Sequence, residues 1–215
     1  MNSLFLLKIV LVKKRLYRKN ALRGRRKPYM NSSKTLFLDR DGVINVNHGY
    51  VYRRQDFQFI EGIFTLCKRA QTKGYQIIIV TNQSGIARKY YSQLQFRQLS
   101  RWVEHEFWKR GISIQQTLHC PHHPKFSTPC TCRKPKAGMI YKAQRRFGVD
   151  LSKSIMVGDS LSDMRCAQEA RIKNSVLFKS NSLQYSLKHQ PDLIRPLFKP
   201  YYQARSLRAI CKLLT

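Results

Sequence analysis

The chain has 215 residues, of which 42% are hydrophobic, enough for one domain with a real apolar core. Its 41 lysines and arginines face only 11 aspartates and glutamates, a formal charge of +30 that attracts anions but says little about fold. The excess runs along the whole chain, which fits a compositional bias better than a dedicated nucleic-acid groove, so no nucleic-acid partner is expected beyond non-specific charge attraction.

Residues 1–30 read as a basic extension, disordered or lying upstream of a true start at Met30, with the folded domain spanning 31–215. Leu4 to Val12 is apolar but broken by Lys8, too short to span a bilayer and without a small-residue cleavage site, so neither membrane insertion nor secretion is expected and the cytoplasm is the expected location. From Thr35 the pattern alternates. Thr35 to Leu38 predicts a strand. Glu61 to Lys73 predicts a helix, with Ile63, Leu66, Cys67 and Ala70 on one face and Gly74 as its stop. Gln76 to Val80 is a continuous β-branched run, suited to a strand buried on both faces. Ser92 and Gln95 form a capping box for a helix that carries Phe96, Leu99, Val103 and Phe107 and ends before Gly111. There follow a strand over Ile112 to His119, a helix over Gly138 to Phe147, a strand over Ser154 to Val157, a helix over Ser162 to Ala170 and a strand over Ser175 to Phe178. Tyr201 to Leu207 adds a last strand, with a short helix to Leu214. The alternation predicts a doubly wound α/β domain with its ligands beyond the carboxyl ends of the strands.

Polar groups gather at those ends. Asp39-Arg40-Asp41-Gly42 follows the first strand; Gly42 lets the chain turn, so one aspartate can attack while the other handles a proton, as covalent phosphoryl transfer requires. Thr81-Asn82-Gln83-Ser84-Gly85 follows the second strand, Arg133-Lys134-Pro135 precedes the helix from Gly138, and Gly158-Asp159-Ser160 with Asp163 follows a later strand. Asp159 and Asp163 could also serve as helix N-terminal caps. Cys120-Pro121-His122-His123-Pro124 and Cys130-Thr131-Cys132 offer three thiolates and an imidazole, a complete tetrahedral zinc set with no open position.

These four motifs, in this order over Thr35 to Phe178, resemble the haloacid dehalogenase superfamily of phosphatases. The resemblance implies a Rossmann-like parallel sheet, with Asp39 as nucleophile and Asp41 as general acid and then base. It implies Mg²⁺ on the Asp39 carboxylate, the Asp41 backbone carbonyl and the Asp159 carboxylate, with Thr81, the Asn82 backbone and Lys134 on the phosphoryl group. The Cys120, His122, Cys130 and Cys132 loop is similar to that of the branch containing the heptose bisphosphate and histidinol phosphatases, which lack a separate cap domain; His123 is a spare. Asn45 to Val51, Phe57 to Gly62 and Thr81 to Arg88 look like the heptose side of that branch. The implied substrate is D-glycero-D-manno-heptose 1,7-bisphosphate, losing its 7-phosphate on the route to lipopolysaccharide heptose. Asn47, His48, Gly49, Tyr50, Gln83, Ser84 and Arg133 would contact the sugar and its distal phosphate, arginine suiting the latter by its bidentate fork. Ser160 stands where many members carry lysine. Histidinol-phosphate phosphatase is the nearest rival reading and a nucleic-acid 3′-phosphatase a more distant one; a monomer is expected.

Overall fold

The structure is a computed structural model that describes residues 33–178 and 201–215; the basic extension read in residues 1–30 lies outside them. The elements are strand β1 (Thr35–Leu38), helix α1 (Ile63–Thr72), β2 (Gln76–Asn82), α2 (Gln93–Trp108), β3 (Gln116–Cys120), α3 (Gly138–Phe147), β4 (Ile155–Gly158), α4 (Leu161–Glu169), β5 (Asn174–Phe178), β6 (Tyr201–Ala204) and α5 (Leu207–Ile210). The strands form one six-stranded sheet in the order β3-β2-β1-β4-β5-β6, every pairing parallel.

The apolar runs that predicted doubly covered strands have a simple cause. Leu36, Leu38, Ile77, Ile79, Ile155 and Val157 join one buried cluster with α1, α2 and α5. Their alternating neighbours Phe37, Ile78, Val80 and Met156 join another with α3 and α4. Successive strand side chains point to opposite faces, so a strand between two helical layers needs apolar residues at every position.

Two strand boundaries differ from the sequence reading by three residues or more. The third strand starts at Gln116 rather than Ile112, because Gln71 of α1 claims the preceding backbone: its Nε2 donates to the Gly111 carbonyl (2.9 Å) and its Oε1 accepts from the Ser113 N–H (2.7 Å). The sixth strand ends at Ala204, since Ser206 caps α5 by accepting from the Ala209 N–H (3.3 Å). Short 3-10 turns at Arg54–Asp56 and Leu151–Lys153 carry no periodicity long enough to be seen in the sequence.

The chain runs β1 to β2 to β3 in one direction and β4 to β5 to β6 in the other. The crevice where the order reverses, beyond the carboxyl ends of β1 and β4, is where such sheets bind ligands. No helix of the described residues is long and apolar enough to cross a membrane.

Candidate active site

Asp39 is the first residue past β1, and its N–H still donates to the Val157 carbonyl of β4 (2.9 Å). That last ladder bond fixes the carboxyl at the reversal point. The chain then doubles back: the Arg40 carbonyl accepts from the Ile44 and Asn45 N–H groups (2.8 and 3.1 Å), and the Gly42 N–H donates to the Asn45 carbonyl (2.7 Å). Gly42 has φ +86°, and a Cβ there would run into the Asp159 carboxylate. Glycine therefore meets two demands, a left-handed turn and the close approach of a second acid.

Eleven of the thirteen residues expected around the catalytic aspartate and its substrate line one cavity of about 390 Å³: Asp39, Asp41, Asn47, Gly49, Tyr50, Thr81, Asn82, Gln83, Ser84, Lys134 and Asp159, with Tyr91, Ser160 and Ser162 beside them. His48 and Arg133 do not line it. Arg133 turns away, its Nη1 donating to the His122 carbonyl (3.0 Å), and it lines a second cavity of about 340 Å³ that shares Lys134 with the first.

Lys134 is buried, and its ammonium lies 2.8 Å from Asp39 Oδ1 and 2.5 Å from Asp163 Oδ1 and donates to the Val80 carbonyl (2.9 Å). Burial works against this charge, but Asp163 and Asp39 outweigh it and raise the lysine above its ordinary range. Asn82 pins the lysine from the backbone side: its Oδ1 accepts from the Lys134 N–H (3.0 Å) and its Nδ2 donates to the Lys134 carbonyl (3.1 Å). Asp163 also accepts from the Ser160 N–H (3.1 Å) and Oγ (2.6 Å), so it caps α4 and answers the lysine at once.

The Asp41 carboxylate is held separately. Arg40, itself buried, donates to it from Nε (3.1 Å) and Nη2 (2.8 Å); Asn45 Nδ2 (3.1 Å) and Gln83 Nε2 (2.9 Å) complete the grip. Gln83 Nε2 also donates to Thr81 Oγ1 (2.8 Å), and Gln83 Oε1 accepts from the Tyr91 hydroxyl (2.6 Å), which fixes its amide orientation. Arg40, Tyr91 and the lysine-facing role of Asp163 were not read from the sequence. Arg40 carried a signal, lying between the two aspartates; Tyr91 carried none.

Carboxylate oxygens of Asp39, Asp159 and Asp163 lie within 4.8 Å of one another. Burial pushes Asp39 up to about 7, with Asp163 and Asp41 adding to the rise and Lys134 opposing it. Asp159 is raised well above the carboxylate range by burial and then by Asp39 and Asp163. A crowd of acids with one lysine against it is short of positive charge. Opposite oxygens on a Mg²⁺ lie about 4.2 Å apart, so the donor set fits a hard cation. Asp163 engages Lys134 through Oδ1 and Ser160 through Oδ2, whereas Asp39 meets Lys134 through Oδ1 alone, which leaves Asp39 and Asp159 as the better donors.

Beyond β3, Cys120, His122, Cys130 and Cys132 also present ligand atoms within 4.8 Å of one another. Cys120 Sγ lies 3.7 Å from Cys130 Sγ and 3.1 Å from Cys132 Sγ, and His122 Nδ1 lies 3.3 Å from Cys132 Sγ. Sulfurs on a tetrahedral zinc are about 3.7 Å apart, whereas a disulfide needs about 2.05 Å, so the donors fit zinc and not a bridge. His123 points elsewhere, its Nε2 2.8 Å from Arg88 Nη2.

A HAD-hydrolase-like family model matches residues 131–210. A Haemophilus ducreyi protein named D-glycero-beta-D-manno-heptose-1,7-bisphosphate 7-phosphatase is 45% identical over 152 residues, covering 68% of this chain and 84% of that protein. The chain belongs to this phosphatase family. A Campylobacter jejuni member, named for the alpha anomer, is 48% identical over 145 residues, covering 67% of this chain and 82% of its own length. Among solved members, the D,D-heptose 1,7-bisphosphate phosphatase of B. bronchiseptica complexed with magnesium and phosphate superposes with a TM-score of 0.72 at 26% identity, over 84% of this chain and 97% of that one. The family's parallel α/β sheet is the fold described above, and the histidinol-phosphate and nucleic-acid readings find no support among these relatives.

Proposed function

We propose that this protein is a Mg²⁺-dependent phosphatase that removes the 7-phosphate of D-glycero-D-manno-heptose 1,7-bisphosphate through an aspartyl-phosphate on Asp39. The observation that carries the reading is the high identity to relatives named for this reaction, over a stretch whose cavity gathers Asp39, Asp41, Thr81, Lys134 and Asp159. An Asp39 oxygen forms a bond to phosphorus as the bond from phosphorus to the sugar O7 breaks, and the Asp41 carboxyl gives its proton to the departing alkoxide. Asp41 then takes a proton from water, whose oxygen displaces the Asp39 carboxylate and releases inorganic phosphate. Thr81 Oγ1 and the Asn82 backbone orient the phosphoryl oxygens, and the Lys134 ammonium neutralises them; such positioning and charge stabilisation make up most of phosphoryl-transfer catalysis. Asp39, Asp159 and the Asp41 carbonyl would hold Mg²⁺, which would supply further neutralisation of the phosphoryl charge.

Asn47, Gly49, Tyr50 and Ser84 form the sugar-facing wall in place of a separate cap domain, and His48 and Arg133 lie outside it as the cavity stands. Zinc on Cys120, His122, Cys130 and Cys132 would stiffen the loop that leads into Arg133-Lys134. The domain spans 31–215 and works as a monomer in the cytoplasm, on the route to lipopolysaccharide heptose. The test offers purified protein with Mg²⁺ both anomers of the heptose bisphosphate, histidinol phosphate and a 3′-phosphorylated oligonucleotide. A heptose bisphosphate should have the highest kcat/KM, and Asp39→Asn should abolish turnover. Preference for either other substrate would refute the assignment.

A further inference from the structure

Arg88 lies outside the cavity and has no part in the chemistry proposed above, yet two loops and the cavity wall meet on it. Its Nη2 is 2.8 Å from His123 Nε2 on the Cys/His loop. Its guanidinium carbon lies 5.6 Å from the ring centre of Phe126 on that same loop, and 6.0 Å from the rings of both Tyr50 and Tyr90. Each ring contact is near the outer limit for a cation over an aromatic face, so the arrangement works as a set. The backbone is stitched in the same sense: the Gln83 N–H donates to the Cys120 carbonyl (2.7 Å) and the Ala87 N–H to the Pro121 carbonyl (3.2 Å).

At the other end of this set is Tyr50, one of two tyrosines that line the cavity. Its φ is +53°, in the left-handed region that a bulky side chain rarely adopts. Strained backbone of this kind persists only where its surroundings over-determine it. Here the surroundings are few. The Tyr90 ring meets Tyr50 edge to face at 4.7 Å, Arg88 lies over both, and Gly85 allows an approach that any Cβ would block. The chain of contact is continuous from the Cys/His loop through Arg88 to a strained residue that faces the substrate.

We propose that Arg88 is a positioning residue that sets affinity for the sugar portion of the substrate, by tying the Tyr50 wall to the Cys/His loop through His123 and Phe126. The inference rests on the heptose bisphosphate reading. Arg88 touches neither Asp39 nor Lys134, so its removal acts on binding and not on phosphoryl transfer.

Steady-state kinetics on the heptose bisphosphate test this with Arg88→Met, which keeps the apolar stem and removes the charge, with His123→Ala, and with the double variant. Both single variants should raise KM, Arg88→Met by on the order of tenfold for the loss of one polar and three ring contacts. They should leave kcat within about twofold, and bound zinc should stay at the wild-type level. The double variant should be no worse than Arg88→Met alone, because both changes cut one connection. An unchanged KM, a fall in kcat equal to the change in kcat/KM, or strict additivity would each overturn the proposal. His123→Ala carries the test by itself should Arg88→Met not fold. A wild-type protein that leaves the heptose bisphosphate intact refutes the substrate reading and this inference together; an active wild type with unaltered variants refutes the inference alone.

Discussion

Asp163→Asn isolates a contact on which both stability and turnover depend. Asp163 is fully buried, with one oxygen 2.5 Å from the Lys134 ammonium and the other accepting from Ser160. Asparagine keeps the shape and one acceptor but removes the charge, leaving Asp39 as the carboxylate still in contact with the ammonium. Breaking a buried ion pair costs about 3–5 kcal/mol when the partner is left alone; with Asp39 still present, about 2–3 kcal/mol is expected. At about 2–4 °C per kcal/mol for a chain of this size, Tm should fall by roughly 5–10 °C. Burial would then pull on Lys134 with less opposition, and loss of one well-placed charge from a phosphoryl site costs on the order of 10²-fold in kcat. Calorimetry and phosphate release from the heptose bisphosphate measure both effects. A Tm within 1 °C of wild type and kcat within about twofold would refute the claim that Asp163 is the lysine's working counterion.

Acid crowding predicts a pH dependence in metal-free protein. Burial raises Asp39 from 3.8 to about 7. Between those values the folded protein holds a proton that the unfolded chain has lost, so stability falls as pH rises through the window, by up to about 4 kcal/mol. Urea midpoints in EDTA should be higher at pH 5 than at pH 8, and Mg²⁺ should close most of the gap; a midpoint flat across that range would refute the crowding. Asn82→Ala removes both side-chain bonds to the Lys134 backbone. It should lower kcat about tenfold and Tm by roughly 4–8 °C, since two part-buried hydrogen bonds are worth about 1 kcal/mol each at about 2–4 °C per kcal/mol; a kcat equal to wild type would show that Lys134 is held without it.

Strand and helix order was legible because doubly covered strands and one-sided helices write different periods into the chain. Ile77-Ile78-Ile79-Val80 reads as a buried strand, and Phe96, Leu99, Val103 and Phe107 read as one helix face. The late start of β3 was not legible, since it turns on Gln71 capturing backbone some 40 residues away. Among site residues, Asp39, Lys134 and Asp159 stand at element ends with local signatures. Arg133 illustrates the other case: its place beside Lys134 was legible, but the bond its Nη1 makes to the His122 carbonyl is set by how the Cys/His loop folds back.

The Asp39-Arg40-Asp41-Gly42 motif divides along the same line. The sequence by itself determined that two acids flank an arginine where a strand ends and that a glycine frees the turn, because those are properties of neighbouring residues. Only the tertiary structure decided what each acid faces. Asp39 points to Lys134 and the acid cluster with Asp159, while Asp41 is gripped by Arg40, Asn45 and Gln83. The partners come from β2, from the segment before α3 and from the end of β4, and parallel pairing brings their carboxyl ends to one place. Residues far apart in the chain meet only through that register, and a charge buried among them takes its properties from the meeting.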